Sequence, residues 1–354
     1  MAYIGFDLDE TLGRFGVVDF PTSFLQPHLS LYGGAWSGKY DARTKVPEPI
    51  PLSSSLRQAL DTAFSIFMDC LAEKEKEGLG ILRPNIVEIA RRLYLQKQMS
   101  PPLVKSVVIY SNNGNLVSLL FAAGLIERLA DAPGLFCNFL HWYHPSRENE
   151  IVKTSPGTGR KLLTTLINSF YGGSCRSDTI SVQDIYFVDD QIHPDIKNRI
   201  GDRYIQIPAY KKDADTNVIL ECFKRAFLEA KLDTNEEYFA YLKPIFKGEN
   251  TLEKAISIIQ DDYASNPGKS IVPNNTAFLK QFGQRLPIPI QQANFTKALR
   301  TFHKLEQKKN EGLRLNNTER LAYVNAKIMI ENFENQTGGK RSRKTRRQTK
   351  RRKN

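Results

Sequence analysis

The first dozen residues constrain this chain more than any other stretch. Tyr3-Ile4-Gly5-Phe6 is a short apolar run that reads as a buried strand. It stops at Asp7, and Asp9 follows two residues later. In open α/β sheets, ligands bind beyond the carboxyl ends of the strands. A strand that ends near Asp7 and turns there brings both carboxylates to that end. Two acids this close repel, and one is pushed towards its neutral form unless a cation lies between them. The pattern points to Mg²⁺. Asp-x-Asp alone also suits an acidic surface turn, so the rest of the chain must decide.

Two more apolar runs end in polar clusters. Val107-Val108-Ile109-Tyr110 leads into Ser111-Asn112-Asn113. Asp184-Ile185-Tyr186-Phe187-Val188 leads into Asp189-Asp190. Three strands, each ending in groups suited to phosphate or metal, predict one shared site.

Taken in order, these stretches resemble the motifs of the haloacid dehalogenase (HAD) superfamily. Asp7-Leu8-Asp9-Glu10-Thr11-Leu12 is similar to the first motif as written in its protein-phosphatase branch. That branch holds the RNA polymerase carboxy-terminal-domain phosphatases and NLI-interacting-factor-like proteins. Leu82-Arg83-Pro84, Tyr110-Ser111-Asn112, Val152-Lys153-Thr154 and Val188-Asp189-Asp190 resemble its further motifs, and the similarity spans about residues 1–232.

The resemblance implies an α/β fold, a Rossmann-like core whose parallel sheet is flanked by helices. It also implies a flap or cap insertion and helices at 13–105. Asp7 would be the nucleophile and Asp9 the general acid and base. The lysine would be Lys153, with Lys161 as the alternative. Thr11, Ser111 and Asn112 would bind phosphate. Mg²⁺ would be held by Asp7, Asp9 through its carbonyl, and Asp189, with Asp190 assisting. The expected reaction is Mg²⁺-dependent hydrolysis of a phosphomonoester, with a phosphorylated protein as substrate. Two alternatives stand beside it: a phosphatase for nucleotides or nucleic-acid ends, and an idle binding protein of the same fold. Retention of Asp7, Asp9 and Asp189 together speaks against the idle form.

Composition limits the partners. The 354 residues can hold a large domain plus an appendage, or two domains, and no apolar run is long enough to span a membrane. The net charge is +12, but ten cations lie between Lys340 and Lys353 with no acid among them. Without them the chain stands near +2. This 336–354 tail is expected to be disordered and to offer nucleic acid a contact through its 340–353 cations. Cys70, Cys137, Cys175 and Cys222 are far apart and form no paired motif, which predicts thiols in a reducing, cytoplasmic or nuclear setting.

Between the motifs, residues 13–52 are rich in Gly, Pro and aromatics and read as an irregular flap. Phe15, Trp36 and Tyr40 are candidates to shape the mouth of the site. Helical spacing predicts helices over 56–76 and 84–96, and over 116–123 with Gly124 as its stop. Residues 233–335 read as a helical appendage. His193, just past the fourth motif, reads as a structural histidine.

Overall fold

The computed structural model describes residues 1–29, 52–147, 150, 160–175, 179–210, 215–246 and 251–265. Within 301–323 it describes 301, 304–309, 311, 315–316, 318–320 and 322–323. Lys153, Trp36, Tyr40 and the basic tail therefore lie outside the described residues. The chain forms two compact units, Met1–Leu286 and Pro287–Asn354.

The first unit is built on five strands: β1 (Ala2–Phe6), β2 (Val104–Tyr110), β3 (Phe136–Leu140), β4 (Ile185–Asp189) and β5 (Tyr204–Gln206). All pair in parallel, in the order β3-β2-β1-β4-β5. This is the expected Rossmann-like α/β arrangement. Every residue of β1 is buried, as a strand covered on both faces requires.

The helices in chain order are α1 (Asp19–Leu25), α2 (Ser54–Lys76), α3 (Ile86–Lys97), α4 (Leu116–Ala130) and α5 (Leu163–Ser169). They continue with α6 (Pro194–Ile200), α7 (Thr216–Glu229), α8 (Glu236–Phe246) and α9 (Leu252–Ser265). Leu163 and Leu166 of α5 and Ile196 and Ile200 of α6 pack on Tyr3, Val108, Phe187 and Tyr204 of one sheet face. Gly5 makes that packing possible, because a Cβ there would stand 2.7 Å from Leu166 Cδ1 and 2.8 Å from Phe187 Cδ2. Ile4, Phe6, Val107 and Ile109, at alternate positions, are equally buried and face the other layer. There α4 packs against α1, α2 and α3, and α2 against α7.

Capping follows the sequence at several ends. Ser53 Oγ accepts the Leu56 N–H, Asn115 Oδ1 that of Val117, and Asp215 those of Asn217 and Val218. Other expectations are corrected. Gly124 does not stop α4, which runs to Ala130 and ends at Asp131 in the left-handed region. Gly124 instead lies where a Cβ would meet Met68 Cε of α2 at 2.7 Å, so its smallness serves helix packing.

The start of the supposed flap is packed structure. A 3₁₀ turn (Gly16–Val18) leads into α1, and Phe15, Val18, Phe24 and Leu25 are fully buried. Phe15 is thus core and does not shape a mouth. The compact unit also extends past residue 232. Tyr238 of α8 donates its hydroxyl to Phe24 O at 3.0 Å, and Tyr263 of α9 donates to Val17 O at 2.7 Å. Among the described residues of the second unit, Lys308 and Glu319 form an ion pair at 2.7 Å, and Leu305 and Leu315 are buried.

The cysteines overturn the expectation of free thiols. Cys70 of α2 and Cys222 of α7 form a disulfide with Cα atoms 5.5 Å apart. Cys137 of β3 and Cys175 form a second, with Cα atoms 5.0 Å apart. Sequence spacing hid both pairs because the fold, not the chain, brings the partners together. Denatured, unreduced protein should show no free thiol to Ellman's reagent, and four after reduction. Replacing Cys70 and Cys222 by Ala should lower unfolding stability by about 2–4 kcal/mol in a urea titration.

Candidate functional site

The order of the strands decides where the polar ends meet. From β1 the chain steps outward to β2 and β3, then returns to the far side of β1 as β4. The crevice at such a reversal, beyond the carboxyl ends of β1 and β4, is where open α/β sheets take ligands. Asp7 follows β1 and Asp189 ends β4. The Asp7 N–H donates to Val188 O at 2.9 Å, so the two carboxylates emerge side by side.

The turn after Asp7 is pinned from outside. Leu8 and Leu12 are buried, and the Leu12 N–H donates to Leu8 O. Glu10 takes a positive φ of 59°, and its carbonyl accepts the Tyr210 N–H. Arg83, itself buried, donates from Nε to Thr11 O at 2.8 Å and from Nη2 to Glu10 O and Pro208 O at 2.6 Å. The Arg-Pro motif thus has a structural reason: its guanidinium gathers the carbonyls of the first loop.

Asp7, Asp189 and Asp190 each offer an oxygen within 4.8 Å of the others. Lys161 lies against them, with Nζ 2.5 Å from Asp7 Oδ1 and 2.7 Å from Asp189 Oδ2. Among the described residues, the lysine at the acids is Lys161, the alternative to Lys153. It is only 1 % exposed. Thr11, expected to bind phosphate, is turned into the acid cluster. Its hydroxyl lies 3.4 Å from Asp7 Oδ2 and 3.2 Å from Asp190 Oδ1, and it accepts the Asp190 N–H. Its single proton serves one carboxylate at a time. Ser111 and Asn112 stand at the end of β2, next to β1, with Ser111 Oγ accepting the Asn113 N–H at 3.0 Å.

Three further residues join the site: His193, which the sequence reads as structural, Asn113 of the polar cluster after β2, and Asp19, which the sequence does not single out. His193 Nδ1 accepts the Lys161 N–H at 3.2 Å, so Nε2 carries the ring proton. Nε2 faces Asp189 Oδ2 at 3.2 Å, a close electrostatic contact without the alignment of a full hydrogen bond. Asn113 Nδ2 donates to Asp9 Oδ2 at 3.0 Å and reaches Asp19 Oδ1 at 3.4 Å. Asp19 also accepts the Ser118 hydroxyl. Asp9 Oδ1 accepts no hydrogen bond among the described residues.

The electrostatics follow from three carboxylates facing one ammonium. Burial, then Asp189 and Asp190, push Asp7 up to about 8 against the pull of Lys161. Burial and Asp189 raise Asp190 to about 6. Burial opposes ionisation of Asp189 too, yet Lys161 and His193 hold it below its ordinary value. Burial likewise works against the Lys161 charge, but Asp189 and Asp7 outweigh it and raise its pKa. Burial raises Asp9, with Asn113 opposing, and so favours its protonated form. The donor set, oxygen only and short of positive charge, fits a hard divalent cation.

The chain matches no family model, no curated protein and no solved structure. Among the described residues no helix is long and apolar enough to cross a membrane.

Stripped of divalent metal with EDTA, the site should show a definite pH signature. The folded pKa of Asp7 lies above its ordinary 3.8. Between about pH 4 and about pH 8 the folded protein keeps a proton that the unfolded chain releases. Stability from this group is thus present at low pH and lost as pH rises through that window; Asp190 has the same sign. In EDTA, the Tm of the wild type should fall more steeply over this range than that of Asp7→Asn. Added Mg²⁺ should raise the wild-type Tm most at the alkaline end. Parallel pH profiles for the two proteins would show that Asp7 does not carry the strain.

Proposed function

We propose that this protein is a Mg²⁺-dependent phosphomonoesterase of HAD type, acting through an aspartyl-phosphate on Asp7 and directed at phosphoserine or phosphothreonine in proteins. The observation that carries the reading is the cluster of Asp7, Asp189, Asp190 and Lys161 at the reversal point of the sheet, with Asp9, whose pKa burial raises, two residues beyond Asp7. The insertion between β1 and β2 stands where HAD folds carry a flap or cap.

A phosphate monoester and a carboxylate nucleophile repel each other, so the reaction needs cations against both. When bound, Mg²⁺ would supply charge that keeps Asp7 ionised and screens the phosphate, held by Asp7, Asp189 and Asp190. Asp7 attacks phosphorus in line, and the bond to the leaving oxygen breaks. Asp9 gives its proton to that oxygen. Asp9 then takes a proton from water, whose oxygen attacks phosphorus, releasing Asp7 and inorganic phosphate. Lys161 neutralises charge that builds between nucleophile and phosphate. His193 fixes the Lys161 backbone through the Lys161 N–H, and Asn113 fixes the Asp9 carboxyl.

Phosphate release from phosphoserine peptides, nucleotides and end-phosphorylated oligonucleotides, with Mg²⁺ and with EDTA, tests the reading and its substrate. Release from the peptides and only with metal is expected; none from any substrate would refute it. Asp7→Asn should lower kcat by about four orders of magnitude or more while the far-UV circular dichroism stays the same. A folded Asp7→Asn protein with substantial turnover would exclude the covalent route.

Asp9→Asn should separate substrates by leaving group. Alkyl phosphates need a proton on the departing oxygen, whereas aryl phosphates leave as stable phenolates. Their turnover ratio should shift by about 10²–10⁴ against the alkyl substrate, the usual worth of a general acid. If both fall equally, proton donation is not the role of Asp9.

A further inference from the structure

A second set of charges is buried beside the site and is used by none of the steps above. Arg147 and Glu150 have fully buried side chains and form an ion pair, Nε to Oε2, at 2.8 Å. The guanidinium has more partners. Nη1 donates to Ser111 O at 2.5 Å and Nη2 to Asn112 Oδ1 at 2.8 Å. Its Cζ lies over the Tyr110 ring, 4.8 Å from the ring centre, and over the Trp142 ring at 5.2 Å. Tyr110 is the last residue of β2, and its hydroxyl donates to Glu150 Oε1. The same hydroxyl accepts the Leu162 N–H at 2.9 Å. Lys161 Nζ stands 5.8 Å from the centre of the Tyr110 ring.

Stability alone gives no reason for this arrangement. A buried ion pair costs several kcal/mol of desolvation per ion, and apolar side chains of similar volume often serve the fold as well. What an apolar pair cannot do is hold three acceptors in one plane. The guanidinium fork reaches a carboxylate, a backbone carbonyl and a side-chain amide at once, which a lysine cannot reproduce. Each of these contacts ends on one of two segments. One is the Ser111-Asn112 turn after β2. The other is Lys161-Leu162, reached through Glu150 and the Tyr110 hydroxyl.

We propose that Arg147, Glu150 and Tyr110 form a buried clamp that positions the Ser111-Asn112 turn and Lys161 relative to each other across the candidate site. They are positioning residues and touch no reacting group. The proposal rests on the phosphatase reading for its catalytic consequence, but not for its geometry. The turn presents groups suited to phosphate, and Lys161 presents the balancing charge. If their separation drifts, both can still bind the ground state while the transition state loses its fit, and a shift of about 1 Å can cost about a hundredfold in rate.

Tyr110→Phe is the sharpest test. It keeps the ring beneath the guanidinium and removes only the hydroxyl that joins Glu150 to the Leu162 N–H. Arg147→Lys is the second variant, retaining charge while losing the fork. Two measurements are made on the full chain: kcat and KM for an aryl phosphate with Mg²⁺, and amide hydrogen exchange by mass spectrometry. In Tyr110→Phe, kcat should fall about ten- to hundredfold with KM nearly unchanged. Peptides holding 111–113 and 161–163 should exchange faster, while those from β1 exchange as in the wild type. Unchanged exchange at both segments, a general loss of protection over the whole sheet, or an unchanged kcat in an active enzyme would each overturn the clamp. If the wild type hydrolyses no phosphomonoester, the functional reading fails, and the exchange pattern still decides the clamp.

Discussion

Like charges forced together organise this molecule. Asp7, Asp189 and Asp190 converge because β1 and β4 are neighbours and both end in acids. Nothing in the burial of the strands pays the electrostatic cost of that convergence. The neighbours answer it instead. Lys161 inserts its ammonium between Asp7 and Asp189, the Asp190 N–H bonds the Thr11 hydroxyl, and the Gln191 N–H bonds Asp189. One ammonium against three carboxylates leaves a deficit of positive charge, and the raised pKa values of Asp7 and Asp190 express it. A site of this kind is poised to take up a cation, because binding relieves a strain already present in the fold.

The same logic explains why buried arginines surround the loops. Arg83 ties carbonyls of the first loop and Pro208, and Arg147 ties the turn after β2. Loop backbones that leave a sheet have carbonyls without ladder partners. A planar guanidinium satisfies several of them with one side chain. Both arginines also lie over aromatic rings, with Arg83 Cζ 5.3 Å from the Tyr210 ring centre and Arg147 Cζ 4.8 Å from that of Tyr110.

The strands and their polar ends were legible because a parallel strand is apolar throughout and stops abruptly. Asp7, Asp189 and Asp190 could therefore be grouped from sequence. Lys161 could be named only as an alternative, since the motif context of Lys153 and the helix start near Lys161 compete and spacing does not choose. His193 and Asp19 do not stand out as site residues in the sequence because each makes its contacts across the fold, and local pattern records none of them. Ser53 and Asp215 cap their helices through contacts two or three residues away, since capping is local. Gly124 misled for the same reason in reverse. A glycine near the end of an apolar stretch looks like a stop, but here a neighbouring helix claims the space of its missing side chain. The cysteines were the plainest failure, as pairing depends on a fold that brings together residues 152 apart.

That long bridge changes what the backbone alone would imply about the unit's integrity. Cys70 and Cys222 close a covalent ring that contains β2, β3, β4 and β5, and the Cys137–Cys175 ring lies nested inside it. A single cut anywhere from 71 to 221 therefore opens the ring without splitting the molecule into separate chains. β1, which leads directly into Asp7 and lies before the ring, would stay attached to the strand carrying Asp189 even after such a cut. Oxidised and nicked, the protein would keep both halves of its candidate site on one covalent body.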